Sequence, residues 1–173
     1  MHESDRTANL LGAAALAVTD LMLAGATRAA GVSASGAAAL VVLRAAPDLS
    51  VTELGRRVGL SQSAAARMVD SLAASSLVRR HGRTGRSVSV RLTARGTRAA
   101  DRLLAARAGP LAELLADLGD ADRAALTRLL ESLLAKVYEQ AGSTGLVCRL
   151  CDRPACTTGA TCPVGDAERR AGR

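Results

Sequence analysis

From Ser50 to Leu92 the chain spells two short helices and then changes period, and few folds accommodate that succession. Ser50 and Glu53 are spaced as a capping box, S-x-x-E, in which each side chain is expected to satisfy the other's free backbone donor. Gly59 closes that helix as a C-cap. Ser61 caps a further helix expected over residues 62–74. Helix, glycine turn, helix is the helix-turn-helix pattern. Residues 77–81, Leu-Val-Arg-Arg-His, then read as a strand, 82–86, Gly-Arg-Thr-Gly-Arg, as a turn, and 87–92, Ser-Val-Ser-Val-Arg-Leu, as a strand with one buried face. The result is a hairpin with arginines at its tip.

The flanks read as helices. Leu10, Ala14, Ala17, Leu21 and Ala24 fall at helical spacing over residues 9–30, ended by Gly31, and a second helix over 35–44 stops before Pro47. After the hairpin, Thr93 or Ala94 opens a long helix towards Leu118, which Gly109-Pro110 is expected to kink or interrupt. Asp120 is expected to cap a last helix, along which Leu126, Leu129, Leu130, Leu133, Leu134 and Val137 repeat. The 173 residues include one Tyr and no Phe or Trp, so the core is built from Ala, Leu and Val, which suit close helix packing. The expected fold is mainly α with a small β-hairpin wing: a winged helix-turn-helix with a helical dimerisation region. The apolar faces of the first and last helices exceed what one small winged-helix unit can cover, which points to a homodimer. Residues 1–142 form this domain, with its DNA-binding core at about 35–96, and residues 143–173 form a cysteine-bearing tail.

Charge narrows the partner. Lys and Arg number 23 against 16 Asp and Glu, a net charge of +7, and Lys136 is the only lysine. Arginine's planar fork suits phosphates and base edges. Between Arg79 and Arg107 lie Arg80, Arg83, Arg86, Arg91, Arg95, Arg98 and Arg102, and Asp101 is the only acid there. A helix fits the major groove and a hairpin tip can reach the adjoining minor groove or backbone. The candidate DNA contacts are Gln62, Ser63, Ala65 and Arg67 on the second helix of the helix-turn-helix, with Ala66 beside them, and Arg79, Arg80, Arg83 and Arg86 on the hairpin. Arg67 is the leading candidate on its helix, while Met68, Val69 and Leu72 are expected to face the core. Stacking on single strands is disfavoured by the lack of aromatic rings.

Residues 60–96, LSQSAAARMVDSLAASSLVRRHGRTGRSVSVRLTARG, resemble the recognition helix and wing of the MarR regulators, chiefly through Leu77-Val78-Arg79-Arg80 and Val90-Arg91-Leu92-Thr93-Ala94-Arg95-Gly96. The resemblance implies homodimers, with the first and last two long helices intertwined, that bind pseudo-palindromic operators, usually as repressors released by a ligand, metal or oxidant. It also implies that Arg86 is the wing arginine entering the minor groove. Two positions depart from the pattern. Thr84 stands where an acidic partner of that arginine is common, and Ser76 stands where glycine precedes the Leu-Val pair, so this helix end must be capped another way.

Cys148, Cys151, Cys156 and Cys162 are spaced C-x2-C-x4-C-x5-C. Four thiols in so short a segment can close around one metal centre. Zinc and an iron–sulfur cluster both accept four thiolates, and a metal-free thiol switch is the third reading. A structural clip and a sensor are both compatible with a zinc site. His81 is expected to face solvent or phosphate, and His2 belongs to a loose terminus.

No nucleophile–base pair, phosphate loop or paired-carboxylate motif stands out, so no enzyme is expected. Glu3, Asp5 and Asp20 spoil a secretory or membrane reading of the first apolar stretch, which leaves a cytoplasmic protein. The expected function is sequence-specific double-stranded DNA binding by a transcriptional regulator, controlled by a small molecule, metal or redox state. The alternative is a metal-carrying redox or trafficking protein without specific DNA binding.

Overall fold

Most helices begin where a side chain can cap them. The computed structural model describes residues 3–84 and 87–172. Helix α1 spans Glu3–Ala30, α2 Ala34–Ala45, α3 Val51–Val58 and α4 Gln62–Ala74. Ser33, Ser50 and Ser61 accept from the backbone N–H groups of Gly36, Glu53 and Ala64 at 3.1–3.3 Å, each worth about 1 kcal/mol. Helix α1 starts earlier than the apolar spacing predicts, and Asp5 in its first turn suits the positive end of a helix. The capping box is only half made. The Glu53 carboxylate accepts from Arg56 and Arg57 at 2.7–2.9 Å, since two guanidinium donors outcompete one neutral N–H. These bonds, Arg56's foremost, hold the Glu53 carboxyl at a pKa of about 2.

Three antiparallel strands follow the order β1-β3-β2, with β1 Leu49–Ser50, β2 Val78–Thr84 and β3 Ser87–Leu92. Two-residue β1, paired Leu49 to Val90 and Ser50 to Ser89, is too short to show alternation in sequence. Strands β2 and β3 pair Val78 with Leu92 and Arg80 with Val90, and the ladder slips between His81 and Arg83, where Gly82 has φ +44°.

Behind the sheet, Leu40, Leu43, Leu54, Val69, Leu72, Leu77, Val90 and Leu103 form one buried core with the alanines of α2. Ser76, where the family pattern has glycine, itself adopts the left-handed conformation at φ +56°. Its N–H donates to the Ala73 carbonyl and its own carbonyl accepts from Thr93 Oγ1. A non-glycine residue in this region costs about 1–2 kcal/mol. Ser76→Gly is therefore expected to stabilise the fold by about 1 kcal/mol, read as a rise of about 2–4 °C in Tm. An unchanged or lower Tm would show that the serine is unstrained.

Helix α5 runs Ala94–Leu115, capped by Thr93. It passes through Pro110 without the predicted interruption. Proline forfeits the bond to the carbonyl four residues back and crowds it, and that carbonyl, on Ala106, lies toward Gly25 of α1, where a Cβ would come within 3.2 Å. Helix α6 spans Asp120–Ala141. Gly119 occupies its N-cap position without a side-chain bond, so Asp120 is the first helical residue and not the cap.

Helix α1 packs lengthwise on α5. Its Asp5–Gly25 stretch is long and apolar enough to cross a bilayer by length and composition, yet it carries Asp5, Arg6 and Asp20. Leu16 on α1 and Leu129 on α6 are 72 % and 62 % exposed, and Leu130, Leu133, Leu134 and Val137 are exposed beside the latter.

The tail expected as a cysteine loop followed by charged residues folds into α7 Thr144–Val147, α8 Arg153–Thr157 and α9 Pro163–Ala171. Ser143, Asp152 and Cys162 cap these in turn. Helix α9 packs on α6 and buries Val164 to 2 % exposure, while α7 packs on α3.

Candidate nucleic-acid interface and thiol cluster

Helix α4 divides cleanly into two faces. Ala65, Met68, Val69 and Leu72 are buried, whereas Gln62, Ser63, Arg67 and Asp70 are exposed and Ala66 lies between. Of the sequence candidates, Gln62, Ser63 and Arg67 thus stand on one outward surface. Ala65 does not. It is fully buried, and a Cβ on Gly55 would lie 2.7 Å from its own. Its methyl fills the α3–α4 contact, which holds the two helices of the motif at close range.

The wing is tied to this surface. Arg80 on β2 donates to Asp70 on α4 at 2.6 Å. The pair is exposed and contributes at most about 1 kcal/mol, but it masks the one acid on the outward face of α4. Arg91 on β3 donates to both carboxylate oxygens of Asp48, and its hydrogen bond lowers the Asp48 carboxyl below its ordinary pKa. Asp101 is taken by Arg44 at 3.1 Å. The acids near the basic run are thus occupied, while Arg67, Arg79, Arg95 and Arg98 are exposed and form no ion pair among the described residues. Arg86, with Gly85, lies outside the described residues, as does the side chain of Arg83. The roles of Asp48 and Asp70 escape sequence reasoning because their partners lie 43 and 10 positions away.

On the far side of α3 the four cysteines, all free thiols, line one cavity of about 240 Å³. Burial, and then the neighbouring thiols, push Cys148 up to about 11 and Cys151 up to about 12. At neutral pH both are protonated and poor nucleophiles. Among the described residues no group of three or more His, Cys, Asp or Glu side chains is arranged to hold an ion as it stands. The Gly165 N–H donates to Cys162 Sγ at 3.4 Å. Arg107 of α5 borders the cavity, and its buried Nε has no hydrogen-bond partner.

Residues 30–87 match the sequence profile of the MarR family. Among curated proteins none matches the chain. A MarR family protein from Bacillus stearothermophilus superposes with a TM-score of 0.68 at 23% identity, over 79% of this chain and 99% of that one. A MarR family protein from Mycobacterium tuberculosis, solved with salicylic acid, gives 0.56 at 28% identity over 72% and 93%. MepR, a transcription regulator of the Staphylococcus aureus multidrug efflux pump MepA, gives 0.66 at 12% identity over 75% and 97%. The matched segment holds the helix-turn-helix and most of the wing, so residues 30–87 are a MarR-family domain and the chain around them is a winged-helix DNA-binding transcriptional regulator.

Proposed function

We propose that two copies of this chain join through α1 and α6 and bind a pseudo-palindromic DNA site, with α4 in the major groove and the β2–β3 wing beside it. One observation carries this reading: the outward face of α4, with Gln62, Ser63 and Arg67, is continuous with a wing whose nearby acids are already paired. Repression relieved by an effector is the regulatory form that the family resemblance favours. Among the described residues no catalytic constellation competes with it, and a cytoplasmic location suits a DNA partner.

The test uses duplexes selected from a random pool by the purified protein. Arg67→Ala is expected to weaken binding to the selected site by about 1–3 kcal/mol, roughly 5–150-fold, by fluorescence anisotropy. If Arg67 reads a base, random duplex is nearly unaffected. If it meets a phosphate, both lose affinity and the salt slope falls by about 1. Unchanged affinity on both would remove Arg67 from the interface. A metal-carrying protein without DNA function would show no preference for any selected duplex.

Two effector classes fit. A groove between α1 and α5 carries Arg28 and Asp20 beside Leu21 and Ala24, and Arg28 offers a partner for an organic acid such as the salicylic acid bound by the Mycobacterium tuberculosis protein. The thiol cluster offers a site for zinc, with an iron–sulfur cluster as the alternative.

A further inference from the structure

We propose that the four-cysteine module takes up one thiophilic divalent cation through Cys148, Cys151, Cys156 and Cys162 and thereby braces α3, the first helix of the DNA-binding motif, against the long helices. The inference deepens the metal reading above and rests on it.

Three features point to the ion. The four thiols border a single cavity. Their charge would be met locally. Four thiolates around a divalent cation leave two negative charges, and Arg107 and Arg149 line the same cavity. Arg107 Nε is a buried donor without an acceptor. Leaving such a donor unmet is costly, and a metal-bound thiolate is an acceptor that a neutral thiol scarcely provides. On uptake the four S–H protons pass to solvent and four S–metal bonds form, with no change of oxidation state.

The bracing follows from where the module is anchored. Cys148 directly follows α7, and α7 is pressed onto α3 without slack. A Cβ on Gly145 would lie 2.8–3.1 Å from Arg57, and one on Gly59 would lie 3.0 Å from Leu146 Cδ1. From the other side Thr144 Oγ1 donates to Glu168 of α9 at 3.0 Å. The cavity's remaining walls include Met22 and Leu23 of α1 and Leu134 of α6. The thiols therefore lie between the motif and the helices proposed to form the dimer. Because the four thiols are not yet a coordination shell, closing them on an ion must shift the module, and α7, which Cys148 directly follows, is the segment through which that shift reaches α3.

The experiment needs no DNA, so its failure is separable from failure of the DNA-binding reading. The full chain, kept reduced with a phosphine, is titrated with Co²⁺ and then Zn²⁺. Amide hydrogen exchange is compared with and without Zn²⁺. The expected result is one ion per chain, thiolate-to-Co²⁺ charge-transfer bands displaced by Zn²⁺, and exchange in α3 slowed about fivefold or more. Leu146→Ala should keep the ion and lose the slowing in α3, whereas Cys156→Ser should lose both. No uptake would overturn the site, as would iron and sulfide in anaerobically purified protein. Uptake that slows exchange only within the module would overturn the brace.

Discussion

Gly96→Ala is expected to lose about 3 kcal/mol or more of stability, because the added methyl would strike backbone and not a movable side chain. A Cβ there would stand 1.9 Å from the Leu77 carbonyl oxygen and 2.9 Å from its carbon. Overpacking alone costs about 1–3 kcal/mol. That carbonyl also accepts from Thr93 N–H at 3.0 Å and Thr93 Oγ1 at 3.3 Å, and each weakened bond adds about 0.5–1.5 kcal/mol. Gly96 thus fixes the crossing of β2 over the start of α5, which sets where the wing leaves the core. Thermal unfolding should show Tm falling by about 6–12 °C at 2–4 °C per kcal/mol. A loss under 2 °C would mean that this junction yields easily. If the variant fails to accumulate, Ala105→Gly at an exposed interior position of the same helix serves as the control for helix propensity, at a cost of about 1 kcal/mol.

Leu129→Asp is expected to turn a dimer into a monomer and to lower affinity for the selected palindromic duplex by about 100-fold or more, because the second half-site no longer binds at high effective concentration. In an isolated chain, replacing a leucine that is 62 % exposed would be nearly neutral. Across a paired apolar face it buries an unpartnered carboxylate, which is strongly unfavourable. Leu16→Asp, on α1 and 72 % exposed, tests the same face independently. Sedimentation velocity reads the mass and anisotropy reads the affinity. If both variants keep the mass of the unsubstituted protein, α1 and α6 do not form the assembly.

Local signals carried the DNA-binding lobe. The serine caps, Gly59 and the alternation over Ser87–Leu92 act over a few residues, so α4 and β3 lie at the expected positions. The burial of Met68, Val69 and Leu72 likewise follows from helical period alone. The inward turn of Ala65 was not legible, because a small residue is at home on either face and only the approach of Gly55 decides it.

What the residues determined unaided is a helix-turn-helix with a basic wing and a four-thiol tail, since caps, period and spacing are properties of short stretches. Tertiary structure alone decided that Asp70 and Asp48 are masked by Arg80 and Arg91, that Pro110 is carried within α5 beside Gly25, and that α7 and α9 pack on α3 and α6. Each of these depends on groups distant in the chain meeting at contact range, where ion pairing and close packing act and local preference has no say.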